Sequence, residues 1–219
     1  GLVGGMDEYY QRITVHKDSP INSLADIKNK KLAVNIGTAT QGSLNEYIAR
    51  LILEANGMTY NDIKSYGGTV TRTSFEVLRN QFGDGKLDMI IGLTTAGHPN
   101  TAELSVTPGQ KFLSLSDEAI KKLDKYGLAK MTMPANLFQG QTEPVKGVGF
   151  STSLYATSDL SDAYAYGITK AIMANREALK RQFSSMKDWT AADSDKPENL
   201  RVPLHPGARK YYQEAGLLK

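Results

Sequence analysis

The chain has 219 residues, of which 40% are hydrophobic and 22% charged, a balance that excludes disordered and fibrous classes and supplies a sizeable core. Lys and Arg total 26 against 23 Asp and Glu, a net charge of +3 with no block of like sign, which excludes a nucleic-acid footprint. Cysteine is absent, which removes disulfides, thiol nucleophiles and thiolate metal sites, and no apolar run reaches the roughly 18 residues of a membrane span.

The opening GLVGGM has no basic n-region, so the chain reads as starting within a longer precursor. Tyr10, Ile13 and Val15 mix with polar neighbours and predict a strand over residues 9–16, closed by the turn-forming Asp18, Ser19 and Pro20. Ser23 stands where an N-cap is expected for a short helix. Residues 31–36 (KLAVNI) read as a strand that runs into a polar, Gly-rich loop at 37–43, and the spacing of Leu44, Tyr47, Ile48, Leu51, Ile52 and Ala55 predicts an amphipathic helix with Gly57 at its C-terminal end.

The alternation continues with a helix around Phe75, Leu78 and Phe82 and an apolar strand over 87–93. After a break at 94–100, where Pro99 opens a short helix, come a strand over 112–115 and a helix capped by Ser116. Residues 131–146 lack periodicity and read as a loop or linker. A strand follows over 147–157, then a long helix capped by Ser158 or Asp159, carrying Leu160, Tyr164, Ile168, Ile172 and Leu179. The chain closes with a polar loop over 193–197 and a terminal helix through Tyr211, Tyr212 and Ala215. Such βα alternation predicts an α/β fold with an open, largely parallel sheet, in which ligands gather at the carboxyl ends of strands.

Two segments stand at such ends. The first holds Gly37, Thr38, Thr40, Gln41, Gly42 and Ser43. A helix start after a Gly-permitted turn presents unpaired N–H groups and partial positive charge to an anion, and the hydroxyl and amide side chains add donors. Ser43 and Glu46 also have capping-box spacing, so the same residues read equally as a well-capped helix with nothing bound. The second holds Thr94, Thr95, Gly97 and His98, and it reads either as a ligand-contacting turn or as an ordinary one. His98 has neither a serine in a nucleophile-elbow context nor a sequence-placed acid to orient it, so a neutral ligand contact or a structural role is expected rather than catalysis. His16 and His205 are expected to be structural, and no metal-ligand spacing emerges.

Laid in order, residues 21–31 (INSLADIKNKK), the 37–43 loop, 84–89 (DGKLDM), 97–100 (GHPN), 203–208 (PLHPGA), Tyr211-Tyr212 and 214–216 (EAG) resemble the TAXI family of TRAP-transporter solute receptors, a branch of the type 2 periplasmic binding proteins. The resemblance implies a two-lobe α/β fold with one lobe complete and the other truncated at its N-terminal part: residues 1–14 a remnant of lobe one and the first hinge strand, 15–147 lobe two, and 148–219 the second hinge strand and the rest of lobe one. It implies a periplasmic, non-catalytic receptor without cofactor or metal, which takes a small organic acid such as a dicarboxylate or acidic amino acid between its lobes. The ligand then passes to TRAP membrane subunits, with neither nucleic acid nor stable membrane insertion involved. No arginine is nominated to face the acid; the resemblance puts it in a segment before Gly1. The rival readings are an enzyme on the same fold, a ligand-sensing domain of a signalling system, and a binding protein of an ATP-driven transporter.

Overall fold

Residues Met89–Thr94 are buried along their whole length, which their MIIGLT sequence permits because the strand has neighbours on both edges and helices over its faces. The computed structural model describes residues 1–218. Its strands are β1 (Glu8–His16), β2 (Asn35–Ala39), β3 (Thr69–Thr73), β4 (Met89–Thr94), β5 (Gln110–Phe112), β6 (Ala129–Met133) and β7 (Val145–Ser151). Its helices are α1 (Leu24–Lys30), α2 (Leu44–Ala55), α3 (Tyr60–Ser65), α4 (Phe75–Gly83), α5 (Pro99–Val106), α6 (Asp117–Asp124), α7 (Asp162–Ala174), α8 (Arg176–Gln182), α9 (Pro197–Leu200) and α10 (Pro206–Glu214).

The chain divides into two units, one of residues 1–9 with those from Phe150 onward, the other Tyr10–Gly149. The second unit is an α/β layer structure whose sheet runs β3-β2-β4-β1-β7-β6, with β5 also on β1. The expectation of a largely parallel sheet is corrected. β3, β2 and β4 run parallel, whereas β1 runs antiparallel to β4 and β5, and β6 to β7. Residues 131–133 and 145–146, expected as linker, are strand: 129–133 pair antiparallel with 145–149, whose residues from Gly147 on were expected as strand. Met133 and Val145 pack there with Tyr10 and Phe138, so backbone pairing supplies the order that side-chain periodicity lacks. Both β3 and α3 escape the sequence pattern: β3 is a half-covered edge strand of Thr and Arg with one Val, and α3 is a single six-residue stretch set by its Thr59–Asp62 capping box.

On one side of the sheet Leu78, Phe82, Leu87, Ile90 and Leu104 form a core, each burial worth about 1.5–3 kcal/mol. His16 belongs to the packing around it: its ring stacks on Phe82 at 4.0 Å and its Nε2 lies 3.0 Å from the Leu87 carbonyl.

The first unit is built on residues 2–7 running beside 152–154 (Leu2 N to Leu154 O 2.8 Å, Leu154 N to Val3 O 2.7 Å). Leu2, Val3, Ala165, Met173, Trp189, Ala208 and Tyr212 form its core. Ser161, not Ser158 or Asp159, caps α7. Its buried face is Ala165, Thr169 and Met173, while Tyr164 is 72% and Ile168 37% exposed, a correction to the expected apolar face. The cause is the close approach of α10: a Cβ on Gly207 would lie 2.1 Å from the Asp162 carbonyl oxygen, and only small α7 residues fit beneath it. His205 caps α10, with Nδ1 accepting from Gly207 N at 3.2 Å and Nε2 2.9 Å from Leu160 O. No helix among the described residues is long and apolar enough to cross a membrane.

Candidate functional site

The residues expected as one loop before α2 fall into two classes. Gly37 and Thr38 are not loop but buried strand β2, because their backbone pairs in parallel with Thr71 and Arg72 of β3. Gly37 is there for packing, not turning: a Cβ would meet Leu87 Cδ1 at 2.5 Å and Leu78 Cδ2 at 2.8 Å. Thr38, on the opposite face by strand alternation, is fully buried, and its Oγ1 has no hydrogen-bond partner among the described residues. Thr40, Gln41 and Gly42 form the exposed turn, with Gly42 at φ +82° in open space, the left-handed conformation that glycine adopts without steric cost.

Ser43 caps α2, its Oγ accepting from Glu46 N at 3.3 Å. The reciprocal half of the capping box is displaced by one residue: Glu46 Oε2 accepts from Gly42 N at 3.4 Å and Oε1 from Tyr60 OH at 3.1 Å. Burial first, and the Glu46 carboxylate second, hold the Tyr60 phenol well above its ordinary pKa. Glu46 is therefore buried, whereas Leu44 (54% exposed) and Tyr47 (40%), expected on the apolar face, point outward. The helix start is turned so that its capping carboxylate, not its first leucine, faces inward. The Leu44 and Asn45 amides are among the donors that a helix cannot pair internally.

Asn45 joins this helix start to the next strand. Its Oδ1 accepts from Leu93 N at 2.7 Å, and the place where a Gly92 Cβ would stand is 2.8 Å from the same oxygen. The first turn of α2 is thereby held against the carboxyl end of β4, immediately before Thr94, and the two sequence-predicted segments are brought side by side.

At that end Thr94 and Thr95 are buried and Gly97 is exposed. Thr94 Oγ1 lies 2.9 Å from Thr101 Oγ1. His98 is half-buried and caps α5: its Nδ1 accepts from Thr101 N at 3.4 Å and lies 3.3 Å from Thr101 Oγ1, and its ring meets Phe75 edge-on at 5.6 Å. One ring nitrogen is thus committed to a cap. Burial, and then the positive charge of Arg12, lower the His98 pKa below its ordinary value of 6.5, so the ring is neutral at pH 7.

Sequence reasoning missed Arg12. It lies in β1, 2% exposed, donating from Nε to Thr14 Oγ1 (3.3 Å) and from Nη2 to Gln110 Oε1 (3.1 Å). Gln110 is in turn oriented by donating to Thr101 O at 2.8 Å and Ser105 Oγ at 2.9 Å. Burial pulls the guanidinium down to about 10, which leaves it charged at neutral pH. The available signal was a cation inside a strand, between Gln11 and Ile13. Arg72, exposed on β3 beside Thr38 in register and 6.0 Å from the Tyr60 ring centroid, was also missed.

Two clefts are lined by other residues. One of about 250 Å³ is lined by Phe112, Ser114 and residues 140–145. Another of about 540 Å³ has Lys196, Arg201 and Arg209 over Leu200, Val202 and Leu204. No group of three or more His, Asp or Glu suited to a metal gathers among the described residues.

Against known proteins, the model of the NMT1-like family matches residues 3–216. Among solved structures the chain is similar to an ancestral arginine-binding protein bound to arginine, at 15% identity and a TM-score of 0.40, over 80% of this chain and 57% of that one. It is similar to the arginine-, lysine-, histidine-binding protein ArtJ of Geobacillus stearothermophilus, at 12% identity and a TM-score of 0.43, over 87% of this chain and 64% of that one. It is also similar to a binding protein component of an ABC phosphonate transporter from Pseudomonas aeruginosa, at 15% identity and a TM-score of 0.38, over 97% of this chain and 67% of that one. The chain spans 57% of the length of the first of these.

Proposed function

The chain belongs to the NMT1-like family, and from that membership we propose that it is the ligand-binding part of an extracytoplasmic solute receptor, which takes up a small organic acid and catalyses no reaction. The finer reading is a TAXI-type receptor that delivers a dicarboxylate or acidic amino acid to TRAP membrane subunits in the periplasm, and it rests on the sequence motifs. One observation carries the acid assignment. At the carboxyl end of β2, the buried Thr38 hydroxyl lacks a partner among the described residues, close in sequence to a helix start whose Leu44 and Asn45 amides the helix cannot pair. A buried hydroxyl left unpaired costs about 1–3 kcal/mol, and a carboxylate oxygen is an acceptor that satisfies such a hydroxyl and such amides together.

Thr40, Gln41, Gly42 and Ser43 form the turn between β2 and α2, and Thr94, Thr95, Gly97 and His98 follow from the carboxyl end of β4, where Asn45 of α2 accepts from Leu93 N. In this reading His98 contributes as a neutral donor from Nε2 rather than as an acid or base.

The test is a thermal-shift and calorimetric screen of the intact protein against L-glutamate, succinate and 2-oxoglutarate. An acid at 100 times its Kd stabilises the native state by about 2.7 kcal/mol. In Thr38→Val the orphan hydroxyl is gone, so intrinsic stability holds or rises by about 1 kcal/mol, while affinity for the acid falls about tenfold, the equivalent of about 1.4 kcal/mol. No stabilisation by any of the acids overturns the reading.

A further inference from the structure

The cleft of about 540 Å³ is lined wholly by residues of the first unit, and its volume lies within the range of about 300–1,000 Å³ that small-molecule sites occupy. Leu200, Val202, Leu204 and Leu218 give it an apolar lining. Its charged residues are Asp195, Lys196, Arg201 and Arg209. Lys196 is already engaged: its Nζ lies 2.6 Å from Asp193 Oδ1. The hydrogen bond and charge of Asp193 first, then the charges of Glu198 and Asp195, hold this ammonium above its ordinary pKa. The local acids therefore act on Lys196. Neither Arg201 nor Arg209 has a carboxylate partner among the described residues, the neighbouring acids Asp162 and Glu214 pairing with His205 and Lys210.

Both arginines stand on fixed backbone. Arg201 is the C-cap of α9 at φ +57° and ψ 6°, its N–H donating to Pro197 O at 2.7 Å. Glycine is the usual residue in this left-handed position, and an arginine there bears a steric cost that glycine avoids. The chain bears that cost at the rim of a cleft, where strained backbone points to function. The segment beneath is tied down at three points: Tyr155 OH donates to Leu200 O at 2.9 Å, Ser153 Oγ to Asn199 O at 2.8 Å, and Asn199 Nδ2 to Asp193 O at 2.8 Å. Arg209 belongs to α10, whose start the His205 cap fixes. Two planar guanidinium forks are thus held beside an apolar hollow, and a carboxylate is an acceptor that such a fork binds through two parallel hydrogen bonds.

We propose that this cleft is a second binding site, for an amphiphilic carboxylate of the medium-chain fatty acid class, with the carboxylate on Arg201 and Arg209 and the chain against Leu200, Leu204 and Leu218. It shares no residue with the α2 start or the 94–98 turn and does not depend on the acid-receptor reading. Head and tail are both required. A small anion without a tail meets only exposed cations, whose attraction water and salt screen, and an apolar chain with a cationic head meets two like charges.

The experiment is calorimetric titration of the intact protein with octanoate, hexanoate, acetate and octylamine, with the arginine Nε–H signals followed by NMR. Octanoate is expected to bind and to move the Arg201 and Arg209 signals. Hexanoate binds about 15-fold more weakly, at about fourfold for each buried methylene, while acetate and octylamine do not bind. Arg201→Gly removes one fork and relieves the left-handed backbone, so the urea midpoint holds or rises while octanoate affinity falls about tenfold. Arg209→Gln gives a similar fall. Both variants leave stabilisation by succinate or L-glutamate unchanged. Acetate or octylamine binding as well as octanoate overturns the proposal without reliance on any variant, and so does octanoate affinity that survives both substitutions. Arginine signals that move on dilution of the protein alone, and not with octanoate, assign the cleft to a second copy of the chain and likewise overturn it. Failure of the dicarboxylate screen leaves these outcomes untouched, so the two readings fail separately.

Discussion

His98 is the residue at which the expectation of a ligand contact and the observed role of a helix cap meet. Its Nδ1 accepts from Thr101 N, so the neutral ring carries its proton on Nε2, and burial together with Arg12 disfavours a second proton. The folded-state pKa is lowered, so between that value and 6.5 the unfolded chain binds more protons than the folded one. The His98 contribution to stability is complete above pH 6.5 and is lost as the pH falls below it. NMR titration of the His98 ring is expected to give a midpoint below 6.5, and Arg12→Gln is expected to raise it. A midpoint that does not move in the variant means that the two side chains are not coupled. The other two histidines serve packing, His16 on Phe82 and His205 over the start of α10.

Among the elements, α7 and α10 illustrate how backbone approach overrides hydrophobic spacing. Tyr164, Ile168 and Ile172 recur at intervals of four and read as a buried stripe, yet the interface is made by Ala165 and Thr169, whose hydroxyl turns back to the Ala165 carbonyl at 2.9 Å. Gly207 dictates this, since a methyl group there would collide with the Asp162 carbonyl at 2.1 Å and Tyr166 N at 2.9 Å. Both are backbone atoms, which yield only if the helices separate. Gly207→Ala is expected to cost about 3 kcal/mol, the upper end for overpacking, read as a fall in the urea midpoint. Gly42→Ala, in open space, carries only the left-handed backbone penalty of about 1–2 kcal/mol. Equal small losses at the two positions would contradict the close approach of these helices.

At the scale of the whole molecule, each unit has its own core. Trp189, the only tryptophan in the sequence, is buried in that of the first unit, its Nε1 donating to Ser194 Oγ at 2.9 Å. Its fluorescence therefore reports on that unit. Leu78→Ala, in the core of the second, is expected to cost about 2–5 kcal/mol. It should shift part of the far-ultraviolet circular dichroism transition while the Trp189 fluorescence midpoint stays in place. Coincident shifts of both signals would mean that the two units unfold as one cooperative body.

Sequence by itself determined the elements whose signals are local. The apolar run of β4, the Ser23, Ser43 and Ser116 caps, the Pro99 helix start and the inward apolar residues of α2 from Ile48 to Ala55 follow from short-range patterning, as does the placement of two polar turns at strand ends. Tertiary structure alone decided that Gly37 and Thr38 are strand and not loop, that β6 forms where periodicity is absent, and that Ala165 and not Tyr164 faces the core. It also decided that Arg12, an ordinary cation in an alternating strand, is buried opposite Gly92. Each of these is set by a partner distant in sequence, whether β3 beside β2, Gly207 over α7 or Asn45 over β4. Local patterning records what a segment can do, while long-range pairing selects which of its faces is used.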